Sequence, residues 1–536
     1  MAEQAAGARP QRTASIPSLE SLSPDQHRIL AYASAIGSEF NFSLLVGAMG
    51  LDEEALAEEL ERLVHVGALV ERAGGERFAF AEEEFRARIY RSLTESRLRV
   101  LHRKIAEVLE KMYPDPSLSV LQELGRHYFL GKVPTKSYEY NRRAAEAARA
   151  ADEPEVAAHH LERVLLDLAA LPGNHRAEQA AVAEALGDLY YAVGNFPSAD
   201  LRFTEALERL GTESPSVRAR LLLARAEVAR ENLDLDTAVQ RATEAQRLFE
   251  DGGDRLGSAR THRVLGRVAF QRGAYRESLE ECLHALDLVG TEEVEPLLGR
   301  LAIDIGNAFA LLGPEVREVA AEWYAHAIER LERAADWIDL SRAYHNMGVL
   351  VGEVRPQEGL EFLEKAQQAA ERGHDTRSMG RALISSVEQL LALGQLEEAE
   401  RNNEQVARLL EHLSDELGRE QVEVNRGQIA ERRGQWEDAE HAYEKAVEEC
   451  RRLQLPADEA EATFYLARLR YKTRDFEGAR QAYAGALELN LLELRPQHSP
   501  AFLELGRQLG LPPPGPPRAR APVPNVSPRP RDERGL

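Results

Sequence analysis

Between residues 175 and 495 the chain returns eight times, at a spacing of about 40 residues, to one pattern of small and large apolar side chains. The pattern is clearest in Leu186-Gly187-x-x-Tyr190, Gly194-x-Phe196-x-x-Ala199 and Phe203-x-x-Ala206. It is as clear in Gly427, Gly434-x-Trp436, Ala439, Tyr443 and Ala446, followed by Ala467, Phe476, Ala479, Tyr483 and Ala486. Further copies carry Leu265-Gly266, Gly273-x-Tyr275, Ser278 and Ala285, then Ile305-Gly306, Gly313 and Ala327, then Met347-Gly348 and Ala366. Weaker ones stand at Ala226, Ala238 and Ala245 and at Gly394, Ala399 and Val406. Each unit reads as two helices. The small residue sits where they cross and lets them approach, and the large residues fill the gap to the next unit. A glycine between the helices takes the positive φ that ends the first one. One such unit cannot bury its own apolar face, so neighbours must stack, here into a right-handed superhelix with a concave inner wall.

The repeat resembles the tetratricopeptide repeat, which makes the expected fold an all-α, right-handed α-solenoid. Composition agrees: only 6% of residues are aromatic against 43% hydrophobic, and Ala, Leu, Glu and Arg dominate, which favours helix over sheet. Ahead of the array, within residues 116–174, Tyr128, Gly131, Tyr140, Ala144, Ala157 and Val164 mark degenerate capping helices of the same kind. Residues 22–115 read differently. Ser23-Pro24-Asp25-Gln26 is a helix start with a capping box, and Ile29, Leu30, Ala33 and Ile36 form an apolar stripe that stops at Gly37. A short helix over 43–49 and a third opened by Asp52-Glu53-Glu54 follow. Two short strands over 68–72 and 77–80, turned at Gly74-Gly75, come next. Three helices and a hairpin make a winged-helix-like domain.

The flanks lack this periodicity. Residues 1–21 read as a disordered leader, and residues 496–536 as a capping helix followed by a disordered tail rich in proline and arginine. From Leu511 that tail runs LPPPGPPRARAPVPNVSPRPRDERGL; proline blocks helix and strand pairing, and such segments also dock in aromatic grooves.

A winged helix invites a nucleic-acid reading, and the charge argues against it. The chain carries 90 acidic against 67 basic side chains, a net −23 that repels phosphate and anionic membrane. The third helix, where groove-reading side chains would stand, presents Asp52, Glu53, Glu54, Glu58, Glu59 and Glu61 against Arg62. One basic stretch follows the wing, Arg86, Arg88, Arg91, Arg97, Arg99, Arg103 and Lys104. It reads as a solvated face paired with the acidic third helix in preference to a nucleic-acid patch. No apolar run approaches the roughly 20 residues of a membrane helix, and the start has no charged-then-apolar signal region. Two cysteines, Cys282 and Cys450, make no disulfide framework, and a cytoplasmic location is expected.

Residues 22 to about 490 resemble the C-terminal half of STAND-type signalling ATPases, the class that includes maltose-regulator-type and large LuxR-type activators. The segments that carry the likeness are LSPDQHRILAYASAIGSEF, GALVERAGGERFAF, YRSLTESRLRVLHRKIAEVLE and ELGRHYFLGKVPTKSYEYNRRAAEAA, with the repeats after them. In that family a P-loop ATPase precedes the winged helix, and the repeats serve as sensor or docking surface. This sequence contains no G-x-x-x-x-G-K-[ST] and no helix-turn-helix after the array, and Glu82 or Glu83 stands where the family often has histidine. The resemblance therefore implies the arm alone: a winged-helix adaptor joined to a repeat superhelix.

No catalytic motif is present, and no cofactor or metal is expected. His159 and His160 are adjacent and point about 100° apart on a helix, and the cysteines fall in second helices where small apolar residues pack. One set of side chains stands out. Six positions before the small residue of five consecutive units lies an arginine: Arg220, Arg260, Arg300, Arg342 and Arg381. Arg263, Arg267 and His345 lie further along the same faces, with Asn307 nearby. On a concave wall this ladder would bind an acidic peptide or anionic ligand through bidentate contacts. Alternatively each arginine pairs with a carboxylate on a neighbouring helix and only tethers units. The expected function is a non-catalytic scaffold in signalling or transcriptional regulation, docking a protein partner such as a separate ATPase, kinase or transcription factor. The alternatives are a sensor of a small anionic or sugar-like effector and a winged-helix nucleic-acid binder.

Overall fold

The computed structural model describes residues 22–72, 76–211, 214–290, 294–413, 418–495 and 498–512. The leader, the Gly74-Gly75 turn and the tail beyond 512 lie outside the described residues. The chain forms two compact units, residues 1–248 and 249–536.

The first unit opens with α1 (Pro24–Ile36), β1 (Glu39–Asn41), α2 (Phe42–Met49), α3 (Glu53–His65), β2 (Leu69–Glu71) and β3 (Arg77–Phe80). The capping box at α1 is formed: the Gln26 backbone N–H donates to Ser23 Oγ at 3.2 Å, and the Ser23 N–H donates to Gln26 Oε1 at 3.0 Å. Strands β2 and β3 fall where the alternating residues place them. Strand β1 was not legible, because three residues carry no periodicity; it pairs antiparallel with β3, Phe40 opposite Phe78, in a sheet of order β1-β3-β2. Three helices and this small sheet close over Leu30, Leu45, Leu56, Leu60, Leu63 and Leu69, all essentially sealed from solvent. The otherwise helical fold thus carries one small three-stranded sheet near its start.

Helices α4 (Glu83–Ser92), α5 (Glu95–Met112), α6 (Leu118–Leu130), α7 (Pro134–Ala150) and α8 (Pro154–Ala170) lead from the sheet into the repeats. The pair α9 (Arg176–Ala192) and α10 (Phe196–Leu210) follows, then α11 (Pro215–Glu231) and α12 (Leu235–Asp251), within which the first unit ends.

The second unit repeats the pair: α13 (Arg255–Gln271) with α14 (Tyr275–Val289), α15 (Glu295–Leu312) with α16 (Arg317–Ala334), and α17 (Trp337–Gly352) with α18 (Pro356–Arg372). Then come α19 (Thr376–Leu393) with α20 (Leu396–Leu413), α21 (Arg419–Arg433) with α22 (Trp436–Leu453), and α23 (Pro456–Lys472) with α24 (Phe476–Glu488). After α25 (Leu491–Leu494), α26 (Ser499–Gln508) covers the last pair, laying Phe502 on Tyr483 with ring centroids 4.0 Å apart. The crossing residues act as the sequence requires. Gly427 faces the ring of Tyr443, and any Cβ there would stand 2.5 Å from it. Gly394 and Gly434 end their helices with φ of 75°, whereas Arg474 takes that conformation at 68° without being glycine. Successive first helices of this unit, α13 to α15 and onward to α23, touch one another as well as their own partners. They therefore line one continuous face, and the ladder residues from Arg260 to Arg381 stand on these helices.

Candidate functional site

The ladder arginines divide by what they meet. In the first unit, Arg220 on α11 reaches back to α9, where its Nε and Nη2 donate to the two oxygens of Glu184 at 2.5 and 2.9 Å. In the second unit, Arg263 on α13 donates from Nε to Asp304 on α15 at 2.7 Å, with side chains only 12% and 8% exposed. Arg300 on α15 donates to Asp336 at 2.9 Å and also to Asp339 on α17. Arg342 shares that same Asp339 from its own helix at 2.7 Å. Two uncharged links complete the series. Asn307 Oδ1 accepts from Asn346 at 2.7 Å and from the Tyr324 hydroxyl at 2.8 Å, and His345 Nε2 lies 3.0 Å from Ser385 Oγ. Arg267 is engaged as well.

Within the second unit these contacts form a polar spine that joins α13 to α15, α15 to α17 and α17 to α19. Burial opposes the charge on Arg300, but Asp339 and Asp336 outweigh it and its pKa is raised. Burial likewise raises Asp339, and Arg342 and Arg300 more than compensate, so its pKa is lowered. Burial alone dominates at His345 and holds it neutral. The carboxylates Asp304, Asp336 and Asp339 were missed in the sequence. Their signal was an aspartate 36 to 41 residues after Arg263 and Arg300, one repeat away.

Two ladder positions stay outside the spine. Arg260 is exposed and has no partner among the described residues. Arg381 is also exposed and among the described residues bonds only Ser378 Oγ, at 2.7 Å. Seven residues on, two turns along the same face of α19, stands Glu388, exposed and without a hydrogen bond or ion pair among the described residues. Protein nevertheless surrounds both groups. Burial, then repulsion from Arg342, lowers the Arg381 pKa, and burial, then repulsion from Glu461, raises that of Glu388. Here are an unpaired cation and an unpaired anion, reached by water but short of a full hydration shell.

The basic stretch after the wing pairs on its own helices, not with α3 as its spacing suggested. Arg86 donates to Glu83 at 2.8 Å and to the Ser34 carbonyl at 3.0 Å, and Arg99 to Glu95 at 3.0 Å. Arg91 lies 3.6 Å from Glu84, and Arg62 on α3 pairs with Glu58 and Glu59. Beneath this stretch lies a buried histidine pair, His102 and His127, whose Nδ1 atoms are 2.8 Å apart. His127 Nε2 is faced by both the Arg126 guanidinium at 2.9 Å and the Glu123 carboxylate at 3.2 Å. On its other side, His102 Nε2 lies 2.9 Å from the Tyr90 hydroxyl. Burial and the neighbouring His127 push His102 down to about 3.

His159 and His160 do not converge on one site; His160 Nδ1 bonds Asn141 at 2.8 Å. Cys282 and Cys450 are buried, and burial pushes both thiols up, Cys450 to about 12. No three His, Cys, Asp or Glu side chains among the described residues are grouped to hold a metal ion, and none of the described helices is long and apolar enough to cross a membrane.

No family model and no curated protein matches the chain. Solved structures do show likeness at low identity. A STAND protein with a tetratricopeptide repeat sensor from Pyrococcus horikoshii is 12% identical with a TM-score of 0.40, over 91% of this chain and 66% of that one. A Rap protein complexed with competence and sporulation factor is 14% identical with a TM-score of 0.47, over 68% of this chain and 100% of that one. Aspartyl phosphate phosphatase F from Bacillus subtilis is 14% identical with a TM-score of 0.43, over 76% of this chain and 96% of that one. At such scores the fold rests on the helix pairs described above.

Proposed function

We propose that the chain is a non-catalytic interaction scaffold. Residues 22–115 act as a winged-helix adaptor, residues 116–174 as capping helices, and residues 175–495 as an arm of eight tetratricopeptide-like units. The first-helix face of the second unit docks an extended segment of a partner protein. The observation that supports this reading is Arg381 with Glu388: two opposite charges on one face, each unpaired and each part-stripped of water. A folded protein gains nothing from leaving such groups unpaired, whereas a bound segment carrying the complementary charges would satisfy both. Arg260 adds a cation for an acidic residue of that segment. The spine of Arg263, Arg300 and Arg342 holds the face rigid, so that little order is lost on binding. Partners in signalling or transcription, among them an ATPase supplied by another chain, are the class this arm would serve.

The test uses the full chain as bait in native lysate beside an Arg381→Ala/Glu388→Ala variant. A protein retained by the wild-type chain and lost by the variant, with melting temperatures equal, is the expected result. Identical retention by both overturns the assignment of the face. Stabilisation of the wild-type chain, but not the variant, by citrate or a sugar phosphate would instead make the face a sensor of a small anion.

A further inference from the structure

A second binding surface lies on a different edge of the second unit. The turn inside each helix pair falls on one edge of the stack, because each pair repeats the one before it. Five consecutive pairs leave a large apolar side chain exposed there: Leu311 near the end of α15, Val354 between α17 and α18, Leu393 closing α19, Trp436 opening α22 and Phe476 opening α24. Val354 is 69% exposed, Trp436 46% and Phe476 47%. Exposed apolar residues scattered singly need no explanation, but one recurring at every turn of a row does. Phe476 rests T-shaped on Tyr471 with centroids 5.6 Å apart, whereas no ring or cation covers Trp436 among the described residues. Trp436 instead forms one wall of a cleft of about 540 Å³, which reaches the next turn at Thr473 and is lined also by Gly434, Gln435, Glu437 and Asp438.

Charge and spacing decide what fits this edge. Glu398, Glu437, Asp438 and Glu477, in the first turns of α20, α22 and α24, are exposed and make no ion pair among the described residues. The arginines of these turns are engaged, Arg317 with Glu353, Arg355 with Glu358 and Arg433 with Glu400. Even with Arg474 counted, the edge keeps a surplus of carboxylates. Helix dipoles account for acid in a first turn, but not for the apolar row beside it. The occupant is therefore apolar and cationic at once. Touching first helices lie about 8–10 Å apart, which sets the step from one exposed side chain to the next. A polyproline II strand completes a turn in three residues, about 9 Å, and so presents one ring per helix pair with a basic residue free to meet the carboxylates. An amphipathic helix repeats its apolar face about every 5 Å, and only every second anchor would find a side chain to cover.

We propose that the Leu311–Phe476 edge docks a proline-rich, arginine-bearing segment of a partner protein, with proline on the Trp436 face and guanidinium groups on Glu437 and Asp438. This is independent of the docking face on the first helices. The probe is a fluorescent, end-blocked peptide of four Pro-Pro-Arg repeats, which spans about 37 Å and so reaches four turns of the row. Its anisotropy is followed on titration with the full chain. Trp436→Ala should weaken binding about tenfold, and Arg381→Ala/Glu388→Ala should bind as the wild type does. Glu437→Gln/Asp438→Asn, which keeps the aromatic face, should weaken it about threefold at low salt. A peptide of four Gly-Gly-Arg repeats, equal in charge but flexible, should bind at least about tenfold more weakly than the proline peptide. Equal binding of the two peptides overturns the proposal, since the edge would then attract charge alone. Equal binding by the wild type and Trp436→Ala overturns it too, and so does tighter binding of a basic amphipathic helix of the same charge.

Discussion

Replacing Gly427 by alanine tests whether small crossing residues hold the repeats together. A Cβ at this position would lie 2.5 Å from Tyr443 Cε1, 2.6 Å from Cδ1 and 3.0 Å from Cζ. Carbon atoms pack at about 3.5 to 4.0 Å, so one of the two helices must retreat by roughly 1 Å. The ring cannot yield alone. Tyr443 is fully buried, its hydroxyl donates to Glu431 at 2.9 Å, and it stacks on Tyr465 with centroids 5.8 Å apart. Overpacking of this kind costs about 1–3 kcal/mol, and alanine's better helix propensity offsets about 1 kcal/mol of it. A gap this short belongs in the upper half of that range, which leaves a net loss of about 1–2 kcal/mol. Gly380→Ala is the matched control, because a Cβ there meets nothing within 4 Å. Only the propensity gain remains, so that variant should be more stable by about 0.5–1 kcal/mol. Amide exchange read over α21 and α22 gives the answer locally, with opening in Gly427→Ala favoured about 5- to 30-fold. If Gly427→Ala exchanges as slowly as the wild type, close approach at the crossing is not what holds these units.

Two further outcomes follow from buried charge and buried histidine. Arg263→Ala strands the nearly buried Asp304 and should cost about 3 kcal/mol in urea unfolding, whereas Arg260→Ala, exposed and partnerless, should stay within about 0.5 kcal/mol. Equal losses would mean that the spine does not tether. His102 is held near 3 in the fold but titrates near 6.5 when unfolded. The unfolded state therefore takes up the proton first, and the stability of the neutral pair is complete above about pH 6.5 and drains as pH falls toward 3. Between pH 6.5 and 5 the wild type should lose about 2 kcal/mol more than His102→Gln, as measured by urea midpoints. Parallel losses in the two proteins would remove the histidine pair from the pH response.

The helical pairs were legible because their constraint is local and periodic: Gly187 against Phe203 and Gly427 against Tyr443 recur at a fixed interval, as the crossing demands. Helix α1 was legible through its capping box and β2 and β3 through their alternating residues, but β1 was not, since three residues paired across the sheet leave no pattern of their own. The ladder was legible as a row of arginines and illegible in its consequence. Whether Arg300 binds a ligand or Asp339 depends on a contact 39 residues away, and sequence spacing alone does not show which side chains share an interface. Glu388 was invisible for the opposite reason. It is one acid among 90, set apart only by what surrounds it.

The divided ladder also limits how such an arm can bind. An arginine spent on a buried carboxylate can serve a ligand only by abandoning that carboxylate, and an uncompensated buried charge costs several kcal/mol. Arg263 and Arg300 are held in this way, so a ligand that recruited them would have to loosen the joints between α13, α15 and α17. Arg260 and Arg381 carry no such obligation. Recognition that leaves the arm rigid must use them, and recognition that reshapes the arm must use the others. Measuring Arg381→Ala and Arg300→Ala against one partner therefore separates a passive dock from a switch. Lost affinity with unchanged amide exchange in the first variant marks the dock. Altered exchange between α15 and α17 on partner binding, abolished in the second, marks the switch.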